Sequence, residues 1–171
     1  MLEDGSEFRG TLFGAVRPVA GEVVFNTGMV GYPEALTDPS YAGQILILTY
    51  PHIGNYGVPP QRLDEMGLPE WFESERVQIA GLVIATLSDD VSHWSAERSF
   101  DAWLRKENIP GLSGVDTRAL AKRIRDRGAM LGRLLPAGTD VPLRDPNLDN
   151  LAAEVCVGEP VAYGKDGPRI V

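Results

Sequence analysis

The sequence has few of the residues that metal centres, disulfides and redox sites require. Its 171 residues include one cysteine, Cys156, and two histidines, His52 and His93, which lie far apart in the chain. A single thiol excludes an internal disulfide framework and is typical of a reducing compartment. Zinc would need three or four ligands of these kinds, and the glycine loops that hold phosphates or dinucleotides are missing. We therefore expect no metal and no cofactor.

Long apolar runs are also missing. No run approaches the roughly 18 residues that span a bilayer, and the first residues, MLEDGSEF, lack the apolar core of a signal peptide. A soluble, cytoplasmic protein without a membrane partner is expected. The net charge of -8 argues against nucleic acid as a partner. The sequence has one cluster of cations, which comprises Arg118, Lys122, Arg123, Arg125 and Arg127. Because acidic residues lie near it, a solvated helix face is the preferred interpretation.

Two side chains are candidate nucleophiles, but neither has the surroundings of one. Cys156 lies between two valines, without the glycine-flanked turn that exposes a nucleophile, and core packing is predicted for it. Ser40 lacks the GxSxG elbow. Asp89 and Asp90 are adjacent, so on a strand they would point to opposite faces instead of acting as an acid and base pair. No complete catalytic set is predicted.

The order of predicted elements favours an α+β domain with strands first and helices following on one side of antiparallel or mixed strands. Unbroken apolar stretches indicate strands buried on both faces. Asp4-Gly5 is a turn signal before the first strand. The predicted strands are Phe8 to Phe13, Glu22 to Asn26, Ala42 to Tyr50, Val77 to Leu87 and Met130 to Leu135.

Two helices are predicted between the last two strands. Ser95 is expected to cap the first, which ends near Asn108. Asp116 is expected to cap the second, and Gly128 to stop it. Beyond Pro136, closely spaced prolines and glycines indicate a connector.

Three stretches are more specific than composition. The first runs from Gly21 to Met29 (GEVVFNTGM) and continues from Gly31 to Tyr41 (GYPEALTDPSY). The second is LTYPHIGNYG, which begins at Leu48, and the third is GVDTR, which begins at Gly114 and opens the basic helix. Together they resemble the N-terminal domain of the carbamoyl phosphate synthetase small chain. The insertion from Leu68 to Ser74 and the tail from Ala162 to Val171 look most like the fused eukaryotic multifunctional type.

The resemblance implies a swivelling β/β/α fold and a role instead of a reaction. The whole enzyme makes carbamoyl phosphate from glutamine, bicarbonate and ATP, for pyrimidine or arginine biosynthesis. This domain would join a class I glutaminase domain to the synthetase domain or large chain. It implies no catalytic residue here, but the serine of Asp38-Pro39-Ser40 would contribute to the glutamine pocket. Candidate residues of an interdomain interface are His52, Asn55, Asp116 and Arg118.

The resemblance also implies domain boundaries. Residues 1–135 would form the small-chain domain, residues 136–167 a connector, and residues 168–171 the start of the class I glutamine amidotransferase domain. Two other functions stay open at this point. One is a stand-alone protein-interaction module, and the other is an independent hydrolase that uses Ser40 or Cys156. Without the resemblance, Ser40 would be interpreted as satisfying its own turn, and His52 to Asn55 as a polar turn.

Overall fold

A computed structural model describes residues 1–163, which form a mixed six-stranded sheet with four α-helices. The expected α+β class, with strands first, is confirmed. The strands are β1 (Thr11–Gly14), β2 (Val19–Asn26), β3 (Gln44–Ile53), β4 (Gly81–Leu87), β5 (Pro110–Ser113) and β6 (Met130–Leu134). The helices are α1 (Tyr32–Thr37), α2 (Phe100–Lys106), α3 (Thr117–Arg127) and α4 (Leu151–Val155), with 3-10 turns at Pro39–Tyr41 and Pro146–Leu148.

The middle of the sheet is parallel and its two edges are antiparallel. Strands follow the order β1-β5-β4-β3-β2-β6, in which β2, β3, β4 and β5 run parallel to one another. The edge strands β1 and β6 pair antiparallel to β5 and β2. Parallel neighbours end at the same side of a sheet, so the segments that follow β2, β3, β4 and β5 meet at one carboxyl edge. This edge contains parts of all three motifs.

Both faces of the sheet are covered, as the apolar strands predict. Along β3, Leu46 and Leu48 face one cluster, which includes Leu36 of α1 and Trp103 of α2. Ile45 and Ile47 face the other cluster, which includes Leu120 and Ile124 of α3. Burying each such side chain contributes about 1.5–3 kcal/mol before conformational entropy is counted. The expectation of helices on one side is therefore wrong, because α3 packs on the face opposite α1 and α2.

Capping signals in the sequence predicted the start of α3 correctly and the start of α2 incorrectly. Asp116 caps α3, with its carboxylate accepting the N–H of Ala119 at 2.9 Å, and the helix ends at Gly128 as predicted. The first long helix starts later than expected. Its cap is Ser99, whose hydroxyl accepts the N–H of Ala102 at 3.3 Å, while Ser95 lies outside the helix.

The segment after β6 contains local structure instead of an irregular connector throughout. Pro146 begins a 3-10 turn and is buried, and its ring lies close to Gly43. The short helix α4 follows. Strand β6 ends at Leu134, and the domain boundary expected near residue 135 stays a prediction. The predicted start of a glutamine amidotransferase domain at residues 168–171 lies outside the described residues. Within residues 1–163, no helix combines the length and apolar character needed to cross a membrane.

Candidate glutamine-binding turn and interdomain surface

Ser40 lies in a 3-10 turn that leaves its side chain accessible. Pro39–Tyr41 forms this turn directly after α1, and the carboxylate of Asp38 caps it by accepting the N–H of Ser40 at 2.8 Å. The Ser40 side chain is exposed, and its hydroxyl makes no hydrogen bond with any residue from 1 to 163. The aspartate therefore satisfies the turn, and the serine hydroxyl can donate to and accept from a molecule that approaches from outside.

Thr37, the last residue of α1, attaches this turn to neighbouring segments. Thr37 is 2% exposed, and its hydroxyl donates to the carbonyl of Pro33 at 2.9 Å. The same oxygen accepts the N–H of Glu73 at 3.0 Å. Ser74 donates its hydroxyl proton to the carbonyl of Thr37 at 2.6 Å. The insertion from Leu68 to Ser74 is thus attached to the base of the Ser40 turn.

A second attachment joins the turn to the end of β2. The phenol of Tyr41 accepts from the side-chain amide of Asn26 at 3.2 Å. The Asn26 side-chain carbonyl in turn accepts the N–H of Gly28 at 2.6 Å, and the hydroxyl of Thr49 donates to the Asn26 backbone carbonyl at 3.2 Å. Residues of the first and second motifs are therefore linked at the carboxyl edge.

Tyr56 of the second motif holds the start of α1. Its phenol oxygen accepts the N–H of Gly31 at 2.8 Å and the N–H of Tyr32 at 3.0 Å. Gly31 has φ of 81°, which favours glycine, and it offers no side-chain cap to the helix. The phenol of Tyr56 thus does the work of a cap from 25 residues away.

The rings of Tyr56 and Tyr32 stack with their centroids 4.1 Å apart, and the phenol of Tyr32 donates to the carbonyl of Gly57 at 2.8 Å. Burial raises the pKa of both phenols, and the nearby charge of Glu34 raises them further. Both groups therefore stay protonated at neutral pH, and this pair of tyrosines has a structural role beneath the carboxyl edge.

The candidate interface residues are all exposed, and of the four only Arg118 lines the cleft beside α3. His52 lies on β3 after a register shift and pairs with Thr86. The backbone carbonyl of Asn55 accepts the N–H of Ser92 at 3.0 Å, which agrees with a polar turn at the end of the strand. The carboxylate of Asp116 is used to cap α3. These three side chains lie outside the cleft that contains Arg118.

Arg118 lines an open cleft of about 610 Å³ between α3 and the end of β2. Its walls combine cations of α3 with an aromatic ring and two hydroxyls: Phe25, Thr27, Thr49, Arg118, Ala121, Lys122 and Arg125. The sequence interpretation of a solvated helix face missed this cleft. The spacing of Arg118, Lys122 and Arg125 by four and three residues was the signal that could have indicated a single cationic stripe.

The packing predicted for Cys156 is wrong. The residue follows α4 directly and its thiol is exposed. Its neighbour Val157 is 66% exposed, so the flanking valines do not mark a core segment. The helix is only five residues long and buries none of its side chains fully, so it cannot cover the thiol. Within residues 1–163, no three His, Cys, Asp or Glu side chains are grouped to hold a metal ion.

Comparison with known proteins identifies relatives over nearly the whole chain. The family model of the carbamoyl-phosphate synthase small chain, CPSase domain, matches residues 1–134. Multifunctional protein CAD of Squalus acanthias is 56% identical over 169 residues, which cover 97% of this chain and 8% of the relative. Multifunctional protein ura1 of Schizosaccharomyces pombe is 48% identical over 185 residues, covering 95% of this chain and 8% of the relative.

A mitochondrial relative also matches. Carbamoyl-phosphate synthase (ammonia) of Homo sapiens is 49% identical over 172 residues, covering 100% of this chain and 12% of the relative. The chain therefore spans about a tenth of the length of these curated relatives. The resemblance inferred from the three motifs, including its multifunctional type, is confirmed.

Proposed function

This chain belongs to the carbamoyl-phosphate synthase small chain family, and we propose that it is the non-catalytic N-terminal domain of the glutaminase part of a glutamine-dependent enzyme. In this role it joins a class I glutaminase domain to the synthetase domain or large chain and contributes Ser40 to the glutamine pocket. Such an enzyme would supply carbamoyl phosphate to pyrimidine or arginine biosynthesis. We also propose a cytoplasmic location, because a single cysteine is typical of a protein from a reducing compartment.

The observation that supports this proposal best is the contrast between the Ser40 backbone and its side chain. The backbone is held by Asp38 on one side and by the Tyr41–Asn26 hydrogen bond on the other. The hydroxyl itself is exposed and unused by residues 1–163. A polar group that is positioned beforehand and left without an internal partner is what recognition of a polar substrate such as glutamine requires.

The joining role rests on the exposed residues around the carboxyl edge. We propose that His52, Asn55, Asp116 and Arg118 face neighbouring domains. Residues 136–167 would connect this domain, residues 1–135, to an amidotransferase domain that begins at residues 168–171. Within residues 1–163, α4 and the preceding 3-10 turn lie against the opposite side, near the start of β3. A connector on that side leaves the carboxyl edge accessible to other domains.

A hydrolase that uses Ser40 or Cys156 is the less favoured function. A serine or cysteine nucleophile needs a base within hydrogen-bonding reach. Neither side chain has such a contact among the described residues, and both are exposed. An exposed hydroxyl without a base fits a binding role better than a covalent one.

The test of the glutamine role compares two reactions of the intact enzyme that contains this chain. Ser40→Ala should raise the KM for glutamine several-fold, because losing one neutral hydrogen bond costs about 0.5–1.5 kcal/mol. Synthesis from added ammonia should not change, since ammonia bypasses the glutamine pocket. Ser92 is also exposed, and its hydroxyl makes no hydrogen bond in the described structure, so Ser92→Ala is the matched control. Equal loss of the two activities in Ser40→Ala would contradict the proposed role.

A further inference from the structure

The five cations of α3 are divided between two flanks of the helix. Arg123 and Arg127 both contact the carboxylate of Asp4, at 2.6 and 3.5 Å. Hydrogen bonds from Ser6 and Arg123 lower the pKa of Asp4, so this carboxylate is charged at neutral pH. This single carboxylate thus compensates part of the charge of that flank from within the domain.

Among residues 1–163, the other flank is compensated only at Arg125. Arg118 and Lys122 form no ion pair with any residue from 1 to 163, and Arg125 contacts only its exposed neighbour Asp126, at 3.3 Å. Like charges four residues apart on a helix destabilise it by about 0.2–0.5 kcal/mol per pair. The whole chain carries a net charge of -8, so this stripe is not a by-product of a basic composition. An external anion would remove the repulsion.

The cleft beside this stripe has a mixed wall. Thr27 and Thr49 contribute hydroxyls and Phe25 contributes a half-buried ring. The loop that contains Thr27 continues into two exposed apolar side chains, Met29 at 67% and Val30 at 78% exposure. Met29 and Val30 follow the cleft residue Thr27 by two and three positions in the chain, and exposed apolar residues so near a charged surface are typical of a region that another protein covers.

We propose that this cleft docks an acidic segment from another domain of the same enzyme, with an apolar residue of that segment against Met29 and Val30. The inference rests on the proposed joining function and assigns it a surface. From Arg118 to Arg125 the cations extend roughly 10 Å along the helix, a length that matches several carboxylates along a chain better than one phosphate group. A phosphate site at a helix start would also use free backbone N–H groups, but Asp116 already binds the N–H of Ala119 there.

Chemical footprinting of the intact enzyme tests the assignment. Lys122 is compared with the exposed Lys106 by acetylation, and Met29 with the exposed Met66 by peroxide oxidation, each rate divided by the rate in urea-unfolded enzyme. Lys122 and Met29 should react at least about tenfold more slowly than their controls, the ratio that an opening free energy of about 1.4 kcal/mol gives.

A charge reversal then tests what holds the segment. Arg118→Glu should repel an acidic segment and bring Met29 oxidation to the rate of Met66. Arg9→Glu is the matched control, because the Arg9 side chain is 91% exposed and lies outside the cleft. An unchanged helical circular dichroism signal and urea midpoint would show that Arg118→Glu is folded.

Three results would overturn the proposal. The first is that Lys122 and Met29 react as fast as their controls. The second is protection that Arg118→Glu leaves intact or that depends on enzyme concentration, since the latter would mean a second copy of the chain. The third is that Met29 stays reactive and Lys122 is protected only when tripolyphosphate is added, which would mean a site for small anions. None of these readouts uses glutamine, so they are independent of the Ser40→Ala result.

Discussion

Replacing Tyr56 with phenylalanine should destabilise the domain. The effect should arise at the start of α1, where the Tyr56 phenol accepts hydrogen bonds although Tyr56 is not part of that helix. The variant keeps the ring that stacks on Tyr32 at 4.1 Å, but it loses the oxygen that accepts the N–H groups of Gly31 and Tyr32. Each neutral hydrogen bond contributes about 0.5–1.5 kcal/mol net, so losing two should lower the free energy of unfolding by about 1–3 kcal/mol. Gly31 has no side chain to replace the lost cap.

Urea unfolding of the wild type and two variants measures this effect. Tyr50→Phe is the matched control, because Tyr50 is also partly buried against the same core but its phenol makes no hydrogen bond with residues 1–163. Tyr56→Phe should lower the midpoint without changing the slope, while Tyr50→Phe should stay within about 0.5 kcal/mol of the wild type. Two variants of indistinguishable stability would show that the phenol of Tyr56 does not cap α1.

Two further predictions concern Asp4 and Cys156. Hydrogen bonds from Ser6 and Arg123 lower the pKa of Asp4 in the folded state, so its contribution to stability is complete above the ordinary aspartate pKa of about 3.9 and is lost as the pH falls toward the folded value. The stability difference between the wild type and Asp4→Asn should therefore be larger at neutral pH than in acid, as measured by urea unfolding across pH; a difference that grows in acid would contradict this. The exposed thiol of Cys156 should react with a thiol reagent in the folded protein at a rate close to that in urea, and strong protection in the folded state would show that the thiol is covered.

The elements that could be predicted from sequence are those whose signal is local and complete. Asp116 and Gly128 bracket α3 because both the cap and the stop act within one turn of the helix. The run from Ile45 to Leu48 indicated a strand buried on both faces, and these residues are at most 3% exposed. Neither inference needed information about the partner segments.

The elements that were missed depend on distant contacts. Helix α1 starts at a glycine without a capping side chain, so its start is satisfied by Tyr56 from another segment. Strand β5 is four residues long and begins with Pro110-Gly111, which looks like a turn until β1 and β4 pair with it. Ser95 and Ser99 are equal capping signals in sequence. The packing of Phe100 and Trp103 decides for Ser99, while the Ser95 hydroxyl lies 2.7 Å from His93 Nδ1.

The same distinction applies to the candidate site, where the sequence identifies Ser40 but only the folded structure shows how its turn is held. Ser40 could be named from its motif, but the motif does not say why one hydroxyl should matter. A single hydrogen bond to a substrate contributes little if the protein must first order the group that makes it. Here Asp38 orders the Ser40 backbone, Thr37 attaches the turn to residues 73–74, and Tyr56 fixes the helix before it. The ordering cost of the Ser40 turn is thus met during folding, as the proposed binding role of its exposed hydroxyl requires.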